Sequence, residues 1–140
     1  MFKKQKYILH MGLFALGGAL YIIIELLWRR RTHISMFGVG GLCFLLMGQI
    51  HTRFERRPLP VRCGLCSLAV TAVEFISGCV LNRWLGLGVW DYSDRRCHLL
   101  GQVCLLYALF WLVLAAAAWP IYRLCRRLLT RLLCRRTETA

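Results

Sequence analysis

Long apolar stretches alternate along this chain with short segments rich in arginine and lysine. A helix needs about 20 predominantly apolar residues to cross the hydrocarbon core of a bilayer. Four stretches meet or approach that length, and they cover about residues 7–27, 34–50, 63–81 and 99–122. The pattern predicts an all-α membrane protein whose four transmembrane helices form an antiparallel bundle.

The connections between these stretches indicate how the helices pair. Very few residues separate the first two stretches, which favours an antiparallel hairpin. Pro58 and Pro60 are expected to break the chain before the third helix. The longer link from Asn82 to His98 contains two glycines and two tryptophans, and it is expected to lie at the membrane interface. Helices one and two are therefore predicted to form one helical hairpin, and helices three and four the other.

Composition and charge support a membrane protein with one domain. The 140-residue chain is 59% hydrophobic and 18% charged, which is too apolar for a soluble domain that must cover its core with polar surface. A net charge of +13 would suit nucleic-acid binding in a soluble protein, but here the basic residues lie between apolar stretches and no recognition motif accompanies them. Nucleic acid is therefore not expected as a partner, and the lipid bilayer is.

The distribution of basic residues predicts the orientation in the membrane. Of the 19 lysines and arginines, 13 lie with the chain ends and the second connection, and six lie with the other two connections. The side richer in basic residues is expected to face the cytoplasm. Residues 1–122 are predicted to form the four-span domain, with the N and C termini cytoplasmic. Residues 123–140 are expected to form a basic cytoplasmic tail, either an amphipathic helix on anionic lipids or a solvated segment.

Carboxylates are rare in the chain and lie where charge neutralisation does not explain them. Of six, four belong to the predicted outward half, namely Glu25, Glu74, Asp91 and Asp94. Glu74 precedes Asn82 by eight residues, which is about 12 Å along a helix. A carboxylate at that depth costs several kcal/mol unless it is paired or protonated, so Glu74 is predicted to be functional.

Glu74 lies on a polar face of the predicted third helix. This face consists of small and polar residues at spacings of three and four: Ser67, Thr71, Glu74, Gly78 and Asn82. Other polar residues come from the same side of the remaining elements: Glu25, His33, Ser35, Trp90, Asp91, Tyr92, Ser93, His98 and Gln102. Together they predict an outward-facing polar pocket around Glu74.

A purely structural interpretation of these residues stays open. Buried carboxylates can hold membrane helices together through hydrogen bonds, and Glu25 could pair with Arg29 one turn later. His33 and His98 could lie at the interface with their polar atoms towards water.

Enzyme templates are missing from the sequence. It holds no Gly-x-Ser-x-Gly elbow, no His-Glu-x-x-His helix and no nucleotide-binding element that could drive ATP-powered transport. Cys63 and Cys66 have the spacing of a metal pair, but they open an apolar helix with no second pair nearby. No catalytic residue, metal or cofactor is therefore predicted, and lipid chemistry at the acids is a weaker alternative.

Several motifs resemble those of a known family. They are Glu25-x-x-Trp28-Arg29, Thr32-His33-x-Ser35-Met36, Gly40-Gly41, Glu74-Phe75-x-x-Gly78, Val89-Trp90-Asp91-Tyr92-Ser93, Gly101-Gln102-Val103-Cys104 and Trp111. Over roughly residues 12–115 the chain resembles the small bacterial ABC-transporter type IV permeases (CmpB-like), with the tail past Trp119 outside the resemblance. The resemblance implies a multi-pass protein of the bacterial cell membrane. His98 departs from the family pattern, in which asparagine is common there.

The leading functional hypothesis is a transport-related membrane subunit of the permease type. Its pocket would contain Glu74 and Glu25 under a cover formed by residues 90–93. Four helices are few for a complete pathway, so the hypothesis requires a homo-oligomer or another membrane subunit, and an ATPase subunit could be such a partner. The alternative is a binding or scaffold module that holds a lipid headgroup or another membrane protein.

Overall fold

The computed structural model describes residues 3–138, with side chains through residue 134, and it is 77% helical. Its helices are α1 (Lys3–Arg29), α2 (Ser35–Arg53), α3 (Leu59–Gly78) and α4 (Leu105–Glu138). A π-helical segment, Cys79–Trp84, continues α3. All four helices are long and apolar enough to cross a membrane, as the hydrophobic pattern predicts.

Helices α1 and α2 form an antiparallel hairpin in which glycines allow close contact. Gly17 of α1 lies against Phe44 of α2. One turn later in α1, Tyr21 lies against Gly40, which is one turn earlier in α2. A methyl group added at either glycine would overlap the facing aromatic side chain. Small residues let membrane helices approach closely and gain van der Waals contact. These two helices accordingly share the most extensive interface of the bundle.

Helices α3 and α4 also run antiparallel, while α1 packs against α4 to close the ring of helices. Arg62 near the start of α3 lies over the ring of Trp119, whereas Glu74 near the end of α3 contacts Trp111, earlier in α4. Both ends of the described chain therefore lie at one end of the bundle, called here the terminal end. The opposite end, which carries residues 85–104, is the loop end.

The start of α3 lies at Leu59, about one turn before the start expected near residue 63. Pro58 immediately precedes the helix, and Pro60 occupies its first turn. Proline is tolerated there because the first N–H groups of a helix have no intrahelical partner and the ring presets a helical φ. The two prolines therefore begin the third helix as well as separating it from the second.

The start of α4 lies at Leu105, later than expected, because the preceding residues form a small hairpin. Strand β1 (His98–Leu99) pairs antiparallel with β2 (Val103–Cys104). Leu100 and Gly101 have φ angles of 52° and 70°, the left-handed conformation that tight hairpin turns use. At its other end α4 includes Pro120 and continues to Glu138, so the basic segment expected to begin at residue 123 belongs to the same helix.

The loop between α3 and α4 folds back onto the helices. Trp90 is only 3% exposed and belongs to the same hydrophobic cluster as Met36, Val70 and Trp111. A second, smaller cluster lies at the terminal end and contains Leu9, Leu13, Phe44 and Tyr122. The loop is therefore part of the packed bundle at the loop end.

Candidate functional site

Glu74 is a buried carboxylate between α3 and α4. Its side chain is 4% exposed, and Oε2 accepts a hydrogen bond of 2.8 Å from the indole N–H of Trp111. Among the described residues, no other group donates to Glu74 and no basic side chain forms an ion pair with it. One neutral donor offsets little of the cost of removing a carboxylate from water. The site can therefore accept a cation or a proton at the second oxygen, Oε1.

Glu25 of α1 is also buried, but both of its oxygens are satisfied. Arg29 donates to Oε1 over 2.9 Å, and Thr32 donates to Oε2 over 2.5 Å. Arg29 also donates to the carbonyl of Val89 over 3.2 Å, which ties α1 to the long loop. The charge of Glu25 is thus neutralised by Arg29, and the pair fixes the loop end of α1.

Asn82, Trp90 and Gln102 form a hydrogen-bonded network that holds the loop in place. Asn82 donates to the Trp90 carbonyl over 2.9 Å and to the Gln102 side chain over 2.8 Å. Its own side-chain oxygen accepts the Val89 N–H over 2.7 Å. The Trp90 indole donates to the Gln102 carbonyl over 2.9 Å, and the Gln102 amide donates to the Leu100 carbonyl over 3.0 Å. These polar groups bind one another, so they position the loop.

The remaining candidate residues make local contacts at the loop end. Asp91 accepts the N–H of Ser93 over 2.9 Å and its hydroxyl over 2.6 Å. The Ser93 hydroxyl and N–H, and to a lesser extent the charge of His98, hold the pKa of Asp91 below its usual range. His33 bonds to the hydroxyl of Ser35 over 2.8 Å. His98 accepts a backbone N–H of the hairpin turn over 3.2 Å.

A cavity of about 400 Å³ lies between α1 and α4, and Glu74 of α3 forms part of its wall. This volume falls in the range of small-molecule binding pockets. Six aromatic side chains line it: Tyr21, Trp28, Tyr92, Tyr107, Phe110 and Trp111. Leu27 of α1 and Val113 of α4 also line it and are 81% and 70% exposed. The cavity therefore opens sideways, between the two helices.

The aromatic rings of this cavity pack in pairs. Tyr21 stacks on Trp111 with ring centroids 5.9 Å apart, and Tyr92 stacks on Tyr107 at 4.6 Å. The hydroxyls of Tyr21 and Tyr92 have no hydrogen-bond partner within the described part of the chain. Burial, followed by the nearby Glu74 charge, raises the pKa of Tyr92 above its usual range, so its hydroxyl stays protonated. The cavity lining thus combines aromatic rings, the phenol groups of Tyr21 and Tyr92, and the Glu74 carboxylate, whose Oε1 accepts no hydrogen bond within the described chain.

The cavity brings together three of the predicted site residues, Glu74, Glu25 and Tyr92. The other nine lie outside its lining: His33, Ser35, Thr71, Asn82, Trp90, Asp91, Ser93, His98 and Gln102. The hydroxyl of Thr71 is buried without a hydrogen-bond partner among the residues described. Within residues 3–138, no three His, Cys, Asp or Glu side chains are grouped as a metal site requires.

The aromatic residues on α1 and α4 that line the cavity were not among the predicted site residues, although their neighbour Glu25 was. Tyr21 and Trp28 lie four residues before and three residues after Glu25, so the three share one helix face. Tyr107 and Trp111 are likewise one turn apart on α4. This helical spacing of aromatic residues around a membrane carboxylate is the sequence signal that accompanies the cavity, and it fits a surface facing lipid equally well.

A separate cluster surrounds Trp119 at the terminal end. His51 is fully buried, stacks on Trp119 with centroids 5.0 Å apart and bonds to the Ala115 carbonyl over 3.0 Å. The guanidinium groups of Arg62 and Arg123 lie 5.6 and 5.5 Å from the centre of the same ring. The cation–π contact of Arg62 joins α3 to α4, and the stacked His51 joins α2 to α4, so this cluster stabilises the bundle.

The sequence model of a family described as "Putative ABC-transporter type IV" matches residues 13–138 of the chain. The chain belongs to this family. The match to the ABC-transporter type IV family spans the loop end, the cavity and the whole of α4. The expectation that the segment past Trp119 lies outside the family is therefore wrong, and its continuity with α4 explains why it belongs to the same unit. No curated protein and no solved structure matches the chain.

Proposed function

We propose that this chain is the membrane-spanning, permease-type subunit of a bacterial transporter and that the cavity around Glu74 is its ligand site. Family membership and four helices of membrane-spanning length support the transport class. The Glu74 carboxylate carries the assignment of the site, because it lies buried at the cavity wall with a single neutral donor in the described chain. Ionisable groups within membrane helices are costly to bury and mark substrate or ion pathways.

The terminal end faces the cytoplasm in this proposal. Of the 19 lysines and arginines, 13 belong to that end. Basic residues in connections between transmembrane helices are retained on the cytoplasmic side of membranes. The cavity then lies in the outer half of the bilayer. Its exposed apolar rim, which includes Leu27 and Val113, faces the lipid tails.

A partner completes the pathway. These 140 residues hold no nucleotide-binding motif, so ATP-driven transport requires a nucleotide-binding element from outside them. The cavity is formed by side chains of a single bundle and opens sideways between α1 and α4. A second copy of the chain or another membrane subunit, placed against that opening, would extend the cavity into a pathway.

Native mass spectrometry of the assembly tests the transport class. The protein is purified from native membranes in a mild detergent, so that bound subunits are retained. A stoichiometric ATPase or second transporter subunit is the expected result. A monomer that neither assembles with itself nor associates with another subunit would contradict the proposal.

A Glu74→Gln variant tests the ligand site. Gln keeps an oxygen that accepts the Trp111 N–H, so the variant should accumulate in the membrane at the level of the unaltered protein. Its transport phenotype should be lost, while Glu55→Gln, a carboxylate change at the terminal end of the bundle, should leave the phenotype unchanged. Disappearance of Glu74→Gln from the membrane would show that the carboxylate serves only to hold the helices together.

The sideways opening of the cavity also favours a second function, a module that holds a lipid headgroup or another membrane protein. Leu27 and Val113 expose apolar side chains at the opening, so a lipid could enter without crossing water. This function predicts that native mass spectrometry finds one defined lipid retained in a stoichiometric amount. It also predicts no transporter subunit in the assembly and no flux through it.

A further inference from the structure

We propose that the ligand of the Glu74 cavity is an organic cation with a methylated ammonium group, tertiary or quaternary, and an apolar substituent. This inference rests on the ligand site proposed above and adds the chemistry of its ligand. The ammonium group lies near Glu74 Oε1, and the apolar part lies among the aromatic rings towards the opening between α1 and α4.

The charges in the cavity favour a ligand with one positive charge. Arg29, the one basic residue of the described lining, is engaged by Glu25 and by the carbonyl of Val89, so this lining offers no free basic group to an anion. Glu25 is neutralised by the same pair. Glu74 has no cationic partner among the described residues, so its ionised form is the one uncompensated charge of the described lining. In a site of low dielectric constant, a cation compensates that charge and an anion is repelled by it.

The chemistry of the walls favours an alkylated ammonium over a metal ion. A metal ion such as Ca²⁺ requires six to eight oxygen ligands, whereas the cavity presents one free carboxylate oxygen and the hydroxyls of Tyr21 and Tyr92. Aromatic ring faces attract organic cations, and cages of such rings bind quaternary ammonium groups without hydrogen bonds. The six aromatic residues of the cavity therefore match a methylated ammonium group.

The rim explains the apolar substituent. Besides Leu27 and Val113, the lining includes Ile24 and Leu114, and all four belong to the two helices that flank the opening. An apolar group leaving the lipid phase loses nothing by contact with these side chains. The cavity of about 400 Å³ accommodates a ligand that carries one aromatic ring or a short alkyl group next to its ammonium.

A pair of ligands of equal shape tests the inference on the unaltered protein. Benzyltrimethylammonium carries one positive charge, and neopentylbenzene is the same molecule with carbon in place of nitrogen. Isothermal titration of the full chain, in a detergent without a choline headgroup, measures both affinities. The cation is expected to bind at least about tenfold more tightly. Equal affinities, or no binding of the cation, would overturn the inference.

Three variants assign the preference to its residues. Glu74→Gln should weaken binding of benzyltrimethylammonium by at least about tenfold, the size of one lost charge contact in a partly buried site. Phe110→Leu, which removes a ring but no polar group of the cavity, should weaken it about threefold. Glu55→Gln should change nothing. Unchanged affinity in both Glu74→Gln and Phe110→Leu would contradict the assignment to this cavity.

The outcomes separate this inference from the ligand site itself. Leu114→Trp places a larger side chain in the lining and should block any ligand of the cavity. If both compounds bind with equal affinity and Leu114→Trp abolishes the binding of both, the ligand site is supported and the preference for cations is contradicted. If the cation binds but Leu114→Trp and Glu74→Gln leave its affinity unchanged, the site lies elsewhere and both proposals fall.

The methylated ammonium group could belong to a free solute or to a choline lipid. Titration with benzyltrimethylammonium in nanodiscs of phosphatidylcholine and in nanodiscs of phosphatidylethanolamine, which has the same net charge without the methyl groups, distinguishes the two. A lipid ligand predicts competition, with weaker apparent affinity in phosphatidylcholine. A free solute predicts equal affinities, because neither zwitterionic headgroup concentrates the cation near the surface.

Discussion

The indole N–H of Trp111 donates a hydrogen bond of 2.8 Å to Glu74, and this bond joins α4 to α3 inside the bundle. Both side chains are buried, at 8% and 4% exposure, so water does not replace either partner. In such a setting a polar group left without its partner costs more than the bond itself contributes. The stability of this interface therefore depends on the two residues together.

Replacing Trp111 with Phe should destabilise the protein by about 1–3 kcal/mol, because Glu74 loses its only donor in the described chain while a ring remains against Tyr21. Thermal unfolding of the purified protein in detergent measures this loss. In a Glu74→Leu background the same replacement should cost less, since no carboxylate is left unpaired. Equal losses in the two backgrounds would show that the hydrogen bond does not stabilise the interface.

Two glycines of α2 provide a matched pair for testing the α1–α2 contact. A Cβ atom at Gly41 would lie 2.6 Å from the carbonyl oxygen of Phe14, whereas one at Gly38 would meet nothing within 4 Å. Gly41→Ala should therefore destabilise the fold by about 1–3 kcal/mol through overpacking. Gly38→Ala should be neutral or stabilise it by up to about 1 kcal/mol, because alanine favours the helix. Similar unfolding temperatures for the two variants would contradict the close contact.

Asn82→Ala should loosen the long loop without unfolding the helices. The change leaves the Val89 N–H and the Gln102 side chain without their partner. The loss should destabilise the folded loop by about 1–3 kcal/mol. Faster tryptic cleavage at the exposed Arg95, identified by mass spectrometry, is the expected result. Asn82→Asp keeps the acceptor for Val89 and should show an intermediate rate. If Asn82→Ala is cleaved at the same rate as the unaltered protein, the network does not hold the loop in place.

The loop should also respond to acid through Asp91. Its pKa in the folded protein is lowered from the ordinary value of 3.8, mainly by the two hydrogen bonds from Ser93. A lowered pKa means that the stabilisation is fully present above the unfolded pKa and is lost as the pH falls through the folded pKa. Carbon-13 NMR of the carboxyl should show this pKa rising towards its ordinary value in Ser93→Ala. An unchanged titration in that variant would assign the shift to other groups.

The number and type of helices were predictable because the bilayer leaves little choice. Backbone groups within a membrane must bond internally, so long apolar runs become helices regardless of their detailed sequence. The start of α4 was harder to predict because Leu99 and Leu100 continue an apolar pattern. Leu100 nevertheless adopts a positive φ in the hairpin turn, a conformation that apolar residues rarely adopt. Tertiary contacts of the loop, including the Trp90 anchor, decide that boundary.

The candidate site shows the same division between pattern and packing. Glu74 was identifiable because a carboxylate deep in an apolar stretch has few explanations. Tyr107 and Trp111 were not identifiable as site residues, because aromatic residues in an apolar stretch fit a helix surface facing lipid as well as a cavity wall. His33 and Ser35 were expected in the pocket, yet they bond to each other at the start of α2. Polarity indicates which residues avoid lipid, but only three-dimensional packing indicates which of them meet.

The two helices that flank the cavity opening are far apart in the sequence, and this has a consequence for biogenesis. When α1 enters the membrane, Glu25 and Tyr21 face lipid or the insertion machinery, because α4 is synthesised last of the four. The cavity exists only after the second hairpin has docked on the first. Ligand occupancy would therefore report completed insertion, and a compound that fits the cavity would act as a pharmacological chaperone for late assembly variants.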